Sequence, residues 1–406
     1  MVTLLAAARQ ILTGTAATPD AVLTGAALVL NHGVIAALGD ERELRARYPA
    51  AHVVDCSGSV ITPGLIDSHT HALFGTWRAH EYELRCRGTP YMEIARRGGG
   101  INASVRDLRA RSEDELVELA LPRFRELCRF GVTTVEVKSG YGLSTEDELK
   151  QLRAIRRVAE QVPLDVVPTF LGAHEFPPEF RDRRDAYVDL LVNEMIPAVA
   201  AERLAVFCDA FMEPGVFDAR QTRRILQAGL NHGLTPKLHA DELENSGGAE
   251  LAVELGAASA DHLGAISNGG VAALAGSSTV ATLLPATLFF LGRQNYAPAR
   301  ALIDAGAVVA LATDFNPGSS PSANLPLVLT IACSQMRMDP LEALVAATAG
   351  GARALRLSDG RGTLRNGAPA DLAVWAVNDY REIPYRFGIP ALRALWKRGA
   401  PVTFGL

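Results

Sequence analysis

A chain of 406 residues with 48% apolar side chains, 36 Gly and 22 Pro can bury a large core and make many tight connections, as soluble globular proteins do. Its 45 acidic and 40 basic side chains leave a net charge of -5 with no basic stripe and no run of like charge, which excludes nucleic acid as a partner. No window holds the ~20 uninterrupted apolar residues of a membrane span, and five scattered cysteines in no C-x-x-C pair suit buried free thiols in a reducing cytoplasm.

The apolar start, Met1 to Arg9, has no basic residue before its apolar run and reads as a short strand. Residues 1–62 alternate apolar runs with turn residues, and Asn31-His32-Gly33 between two such runs is a hairpin signal. Residues 359–406 look similar: Gly362 to Asp371 reads as a turn-rich hairpin that leads into the apolar strand Leu372 to Trp375. One small β-sandwich domain built from both termini is expected, wrapped around residues 63–358.

Between those ends, strand-like runs alternate with helical patterns. The runs are Leu65 to His69, Val132 to Val137, Leu164 to Leu171, Ala205 to Met212, Thr235 to His239, Ala257 to Leu263, Thr279 to Leu284 and Val308 to Thr313. Alternation implies a parallel sheet, and eight units imply closure into a TIM-like (β/α)8 barrel of the α/β class. Capping-box spacing marks helix starts at Ser112 to Glu115 and Thr145 to Glu148. Segment 74–130 is long for a first connection, and Gly98-Gly99-Gly100 within it reads as a mobile loop of the kind that covers a site.

Barrel enzymes place their chemistry where strands end. The first strand ends in His69-Thr70-His71, whose two imidazoles share a face because alternate strand residues point the same way. A bare His-x-His is equally met as two polar residues leaving a strand, so its weight comes from the other strand ends. Those carry Lys138 and Tyr141, His174-Glu175, His239 with Glu242, Asp261-His262, and Asp314 followed by Asn316 to Ser319. Five of the nine histidines fall at such ends, which random scatter does not produce. His69, His71, His239 and Asp314 form a ligand set for a borderline ion such as Zn or Fe, with an open position for water. Such an ion takes the pKa of bound water from 15.7 to roughly 7. Glu242 can shuttle a proton to a leaving nitrogen, while His262 can either deprotonate the water or serve as a hydrogen-bond partner behind the ligands. His32, His52, His80 and His232 read as structural or solvent-facing.

The His-x-His, the strand-five and strand-six histidines and the strand-eight aspartate together resemble the amidohydrolase superfamily of metal-dependent hydrolases, and the β module ending in Ala370-Asp371-Leu372 resembles its flanking domain. Within that superfamily, the blocks Asp67 to Gly75, Gly98 to Ile101, Glu136 to Leu143, Leu238 to Glu242, Ser259 to Leu263 and Ala312 to Ser319 are similar to the imidazolonepropionase family over most of the chain.

The resemblance implies hydrolysis of the ring amide C–N bond of 4-imidazolone-5-propanoate to N-formimidoyl-L-glutamate, in histidine degradation. Metal-bound hydroxide would attack, Asp314 or His262 would accept the water's proton, and Glu242 would deliver one to the departing ring nitrogen that it contacts. Arg78 would pair with the propionate carboxylate, a bidentate task for which a guanidinium is suited. Tyr141, His174, Asn316, Gly318 and Ser319 would hold the rest of the substrate, with Tyr91 lining the pocket from the long loop. Taken alone, Arg78 reads as a surface residue and Asn316 to Ser319 as a helix-starting turn. The chain departs from the familiar block at Trp77.

A carbamylated Lys138 bridging two metals is a further reading. Lys138 sits on the second strand, however, and the fourth, where resemblance would place such a bridge, offers Cys208, Asp209 and Glu213. One divalent or trivalent ion per chain, Zn or Fe, is therefore favoured, in a homodimer. Two other functions compete. A ring deaminase uses a similar metal set but leaves Arg78 without a task, and a non-catalytic scaffold barrel would show gaps in the ligand set.

Overall fold

Eight parallel strands follow one another around a barrel in chain order: Leu65–Asp67, Val132–Lys138, Asp165–Ala173, Phe207–Met212, a broken fifth strand (Thr235–Pro236 and Leu238–Ala240), Ser259–His262, Val280–Leu283 and Val309–Leu311. Each overlaps one of the predicted runs. Every neighbouring pair is parallel, and most strand residues are buried, as expected where helices cover the outside and side chains fill the inside. The computed structural model describes residues 2–89, 91–389 and 391–403, and the backbone alone at 91, 92 and 95.

The seam between the last and first strands has its own construction. Among the described residues no ladder joins these two strands; the segments just beyond them close the ring instead. The Asp314 N–H donates to His69 O at 3.0 Å and the His71 N–H to Phe315 O at 2.9 Å, around a Thr70–Phe315 bridge. The Asp67 carboxylate reinforces the seam by accepting from the Thr313 N–H at 3.0 Å and its hydroxyl at 2.6 Å.

The long first connection holds helices Ala79–Cys86, Tyr91–Arg96 and Ile101–Arg109 before the barrel helix Glu113–Arg129. Ser112 caps that last helix with the predicted capping box. The second predicted box is displaced by one residue. Ser144, not Thr145, caps helix Thr145–Ala159, its hydroxyl accepting from the Asp147 N–H. Glu148 is drawn inward instead, where its carboxylate accepts from the N–H groups of Gly140, Gly142 and Leu143 at 3.1, 2.8 and 2.8 Å. Three unpaired loop amides outcompete the one amide a capping box would supply.

The termini build a small sandwich of two sheets. One has the order Val34–Asp40, Ala26–Asn31, Thr3–Ala6, His52–Asp55, and the other the order Ala400–Pro401, Leu392–Lys397, Leu372–Trp375, Val60–Pro63, Gln10–Leu12, Val22–Leu23. Leu5, Leu28, Ile61, Leu372 and Trp396 belong to one apolar cluster that joins both sheets. The amino-terminal hairpin forms, with His32 at φ 48° and Gly33 at φ 81° in its turn. The expected carboxyl-terminal hairpin does not. Leu364, Gly367 and Ala370 instead donate their N–H groups to Thr13, Ile35 and Gly33 O of the amino-terminal segment, while Leu372–Trp375 pairs with Val60–Pro63 and Leu392–Lys397.

Asp165 at the foot of the third strand joins barrel to sandwich through Lys397 at 2.6 Å and Arg361 at 2.7 Å; Lys397 also reaches Asp371 at 2.6 Å. Trp375 packs on Gly131, where an added Cβ would sit 2.7 Å from the indole. Cys56, Cys128 and Cys208 are buried free thiols as expected, Cys333 is half-buried, and Cys86 is exposed, at the solvent end of its short helix. Among the described residues, no helix is long and apolar enough to cross a membrane.

Candidate active site

The strand ends bring His69, His71, His174, His239, His262 and Asp314 to one place at the carboxyl mouth of the barrel. His69 is fully buried, and its Nδ1 meets Asp261 Oδ2 at 2.6 Å, which directs Nε2 the other way. Nε2 of His69 and Nε2 of His71 lie 3.6 and 3.5 Å from the same Asp314 Oδ1. Those separations exceed a hydrogen bond and approach the ~3.3 Å edge between donors bound tetrahedrally at ~2.0–2.1 Å. Asp314 Oδ2 is held separately by the Thr287 hydroxyl at 2.6 Å. The His239 ring stands 4.6 Å from that of His69 and 5.2 Å from that of His262. By spacing alone, two triplets of donors could hold an ion: His69, His71 and Asp314, or His69, His239 and His262.

Donor chemistry supports a cation here. His69 Nε2 and His239 Nε2 are buried with no hydrogen-bond partner among the described residues, an arrangement that buried polar atoms otherwise avoid. Burial holds His69, His71 and His262 well below the usual imidazole range, so their rings are neutral, the form that binds metal. Asp314 at φ 52° and His262 at φ 79° adopt left-handed backbone, a strained conformation that clusters at functional sites.

Behind this layer lies a buried ionic network. Lys138 Nζ contacts Glu136 at 2.7 Å and Asp209 at 2.8 Å. Burial opposes its charge, but Asp209 and Glu136 outweigh burial and raise its pKa above the ordinary lysine range. A carbamate forms on a neutral amine, so the bridging-lysine reading finds no support. Asp261 touches His69 in front and has Lys237 at 3.5 Å and Lys138 at 3.8 Å behind. Asp209 lies 3.1 Å from His239 Nδ1, out of line for a hydrogen bond, so that contact is chiefly one of charge. Carboxylates placed behind histidines fix ring orientation and basicity. Sequence reasoning missed the supporting roles of Glu136, Lys138, Asp209, Lys237 and Asp261; the available signal was charge inside apolar strands, which persists in cores only when paired.

A cleft of about 520 Å³ opens above the cluster, lined by His71, Arg78, Tyr141, His174, Glu242 and Asp314 among others. His174 stacks on His71 at 5.0 Å, and its Nδ1 lies 2.9 Å from Gly140 O; a carbonyl only accepts, so Nδ1 carries hydrogen. The Glu242 carboxyl is 3.5 Å from His262 Nε2 and is pushed up to about 8 by burial and by the charges of Asp314 and Glu213.

Arg78 is buried, contrary to its reading as a surface residue, because the loop before helix Ala79–Cys86 folds over the eighth-strand turn. Its Nε and Nη1 have no hydrogen-bond partner among the described residues, with Glu81 3.7 Å away. The guanidinium lies on Gly318, where an added Cβ would fall 1.3 Å from Nη2. Asn316 lines the cleft but spends its amide on its own loop, accepting from Gly318 and Ser319 N–H at 2.8 Å each and donating to Asp314 O at 2.6 Å and Ser319 Oγ at 2.9 Å. Glu175 likewise turns to the Phe176 N–H. The Tyr91 side chain lies outside the described residues. His32, His52, His80 and His232 are exposed.

A parallel barrel with a histidine–aspartate cluster at its carboxyl strand ends defines a metal-dependent hydrolase. The amidohydrolase family model matches residues 60–404. An imidazolonepropionase of Symbiobacterium thermophilum is 50% identical over 383 residues, covering 93% of this chain and 90% of that one. Another, of Geobacillus thermodenitrificans, is 48% identical over 386 residues, or 94% and 91% of the two chains. Among solved structures, E. coli guanine deaminase matches with a TM-score of 0.76 over 99% of each chain at 14% identity. An adenosine deaminase from Xanthomonas campestris matches with a TM-score of 0.75 at 19% identity, over 98% of this chain and 92% of that one. These two likenesses speak for the fold alone. The chain belongs to the amidohydrolase family and, within it, to the imidazolonepropionases.

Proposed function

We propose that this protein hydrolyses the ring amide of 4-imidazolone-5-propanoate to N-formimidoyl-L-glutamate, and that Arg78 selects the substrate by its carboxylate. The observation that carries the reading is a buried guanidinium with unengaged nitrogens in the same cleft as the ligand cluster. His69, His71, His239 and Asp314 would hold one Zn or Fe ion per chain, which when bound acidifies water and polarises the carbonyl oxygen. Arg78 binds the propionate group at the cleft wall, and His174, Tyr141 and the Asn316 to Ser319 loop confine the ring. Asp314 or His262 would accept the water's proton. Glu242, protonated near neutrality by its burial, delivers a proton to the departing ring nitrogen.

The same proposal extends to residues 1–62 and 359–406 acting as one domain around the barrel, to a cytoplasmic setting in keeping with five free thiols, and to a homodimer. The exposed side chains of Tyr385, Phe387 and Ile389 offer a surface for such pairing, which light scattering tests. The activity test follows freshly made 4-imidazolone-5-propanoate by its ultraviolet absorbance, with metal content measured on the same sample. Turnover abolished by chelation, at about one ion per chain, is expected. A metallated sample that leaves the compound intact would reject the substrate assignment.

A further inference from the structure

We infer that Glu213, at the end of the fourth strand, is a positioning residue that acts through Glu242; the inference rests on the proton-delivery role proposed for Glu242. Glu213 is buried, and its carboxylate receives three successive backbone N–H groups from the loop after the fifth strand. Oε1 accepts from Glu242 at 2.7 Å and Leu243 at 2.9 Å, and Oε2 accepts from Glu244 at 3.3 Å. Consecutive amides converging on one anion form a nest, which fixes the backbone they belong to.

The residue before the nest is constrained as well. Asp241 takes φ 49°, and its own carboxylate accepts from Ser246, Gly248 and Ala249 N–H at 2.7, 3.1 and 3.0 Å. The chain therefore turns sharply at Asp241, and the direction in which Glu242 leaves that turn is set by Glu213. Glu213 is itself anchored, since a turn closed by Val216 N–H to Glu213 O fixes its backbone.

A purely structural account fits poorly. The loop that Glu213 holds is superficial: Leu243 is 40% exposed, and Glu244 and Asn245 are exposed too. A core does not depend on it. Water could satisfy those amides, so what the carboxylate adds is a fixed geometry for Glu242 and Leu243, the two residues of the loop that line the cleft.

The test compares the wild type with Glu213→Ala, Glu213→Gln, Glu242→Gln and the double variant Glu213→Ala/Glu242→Gln in the metallated full-length protein. Glu213→Ala is expected to lower kcat about 10- to 100-fold, less than the ~10²–10⁴-fold that proton transfer itself contributes because Glu242 is displaced and not removed, with KM within threefold and metal content unchanged. Glu213→Gln keeps an oxygen for the Glu242 and Leu243 amides and should recover most of kcat. The double variant should be no slower than Glu242→Gln alone, because the two changes remove one function. Full kcat in Glu213→Ala, or a double variant slower than Glu242→Gln by the whole Glu213→Ala factor, overturns the inference. Should the alanine variant not fold, Glu213→Asp, whose shorter side chain withdraws the acceptor, takes its place in the same comparison. Loss of the underlying reading looks different: either the wild type fails on this substrate, or Glu242→Gln keeps full rate.

Discussion

Arg78 and Gly318 depend on each other through one contact. Since an alanine Cβ at position 318 would fall 1.3 Å from Arg78 Nη2, Gly318→Ala must displace the guanidinium without removing its charge. Arg78→Met removes the charge outright. A hydrogen bond to a charged group contributes about 1.5–3 kcal/mol, so losing the carboxylate clamp should raise KM roughly 10- to 150-fold with kcat little changed. Gly318→Ala should shift KM in the same direction by less, and steady-state kinetics on the pair, with an unchanged KM in Arg78→Met, would remove the clamp from the mechanism. At this scale the cluster of His69, His71, His239 and Asp314 was legible because each closes an apolar run at a strand end. Asn316 read alone as part of a helix-starting turn and was marked for the site by the resemblance; that it spends its amide on its own loop was not legible, because nothing in a sequence reports which way a side-chain amide faces. Arg78 lay in a polar stretch, and only the family resemblance marked it.

Elements were readable wherever their own periodicity carried the information. The eight strand runs and the Ser112 cap are local features, set by residues within a few positions of one another. Glu148 shows the limit: its partners at 140, 142 and 143 lie outside its helix, and the competition among hydrogen bonds that drew it inward is decided by tertiary placement. Glu148→Ala would strand three buried amides, each costing about 1–3 kcal/mol if left unsatisfied. Equilibrium unfolding in urea should show a loss of about 3 kcal/mol or more, and KM should rise as the Tyr141 loop loosens. A midpoint within experimental error of wild type would mean that water reaches those amides.

For the whole molecule, pairing across long sequence distances was the least legible feature. Alternating turns predicted a β module from both termini, yet not that residues 362–371 would bond to the amino-terminal segment, since a strand's pattern names its buried face and not its neighbour. The joint between barrel and sandwich is similarly non-local. Lys397→Met should lower stability by about 2 kcal/mol, because Asp371 is almost fully buried and would lose its cation, and moderate salt should not reproduce the loss. Chelation should lower the thermal midpoint as well, since an ion bound to the folded state alone stabilises it by mass action. Calorimetry with and without added metal reads that shift directly.

The seam of the barrel also fixes an order of events during synthesis. His69 and His71 leave the ribosome long before Asp314, and at roughly 5–20 residues per second the gap between 71 and 314 lasts on the order of 10–50 s. Through that interval the nascent chain carries two exposed imidazoles without their carboxylate, and the ring cannot shut because the Asp314 and Phe315 backbone that closes it does not yet exist. Tight capture of an ion by the proposed ligand set would thus be a late step, coupled to barrel closure. Ribosome-stalled chains ending before residue 314 should release their metal to a mild chelator, whereas chains stalled late enough for residue 358 to clear the exit tunnel should retain it.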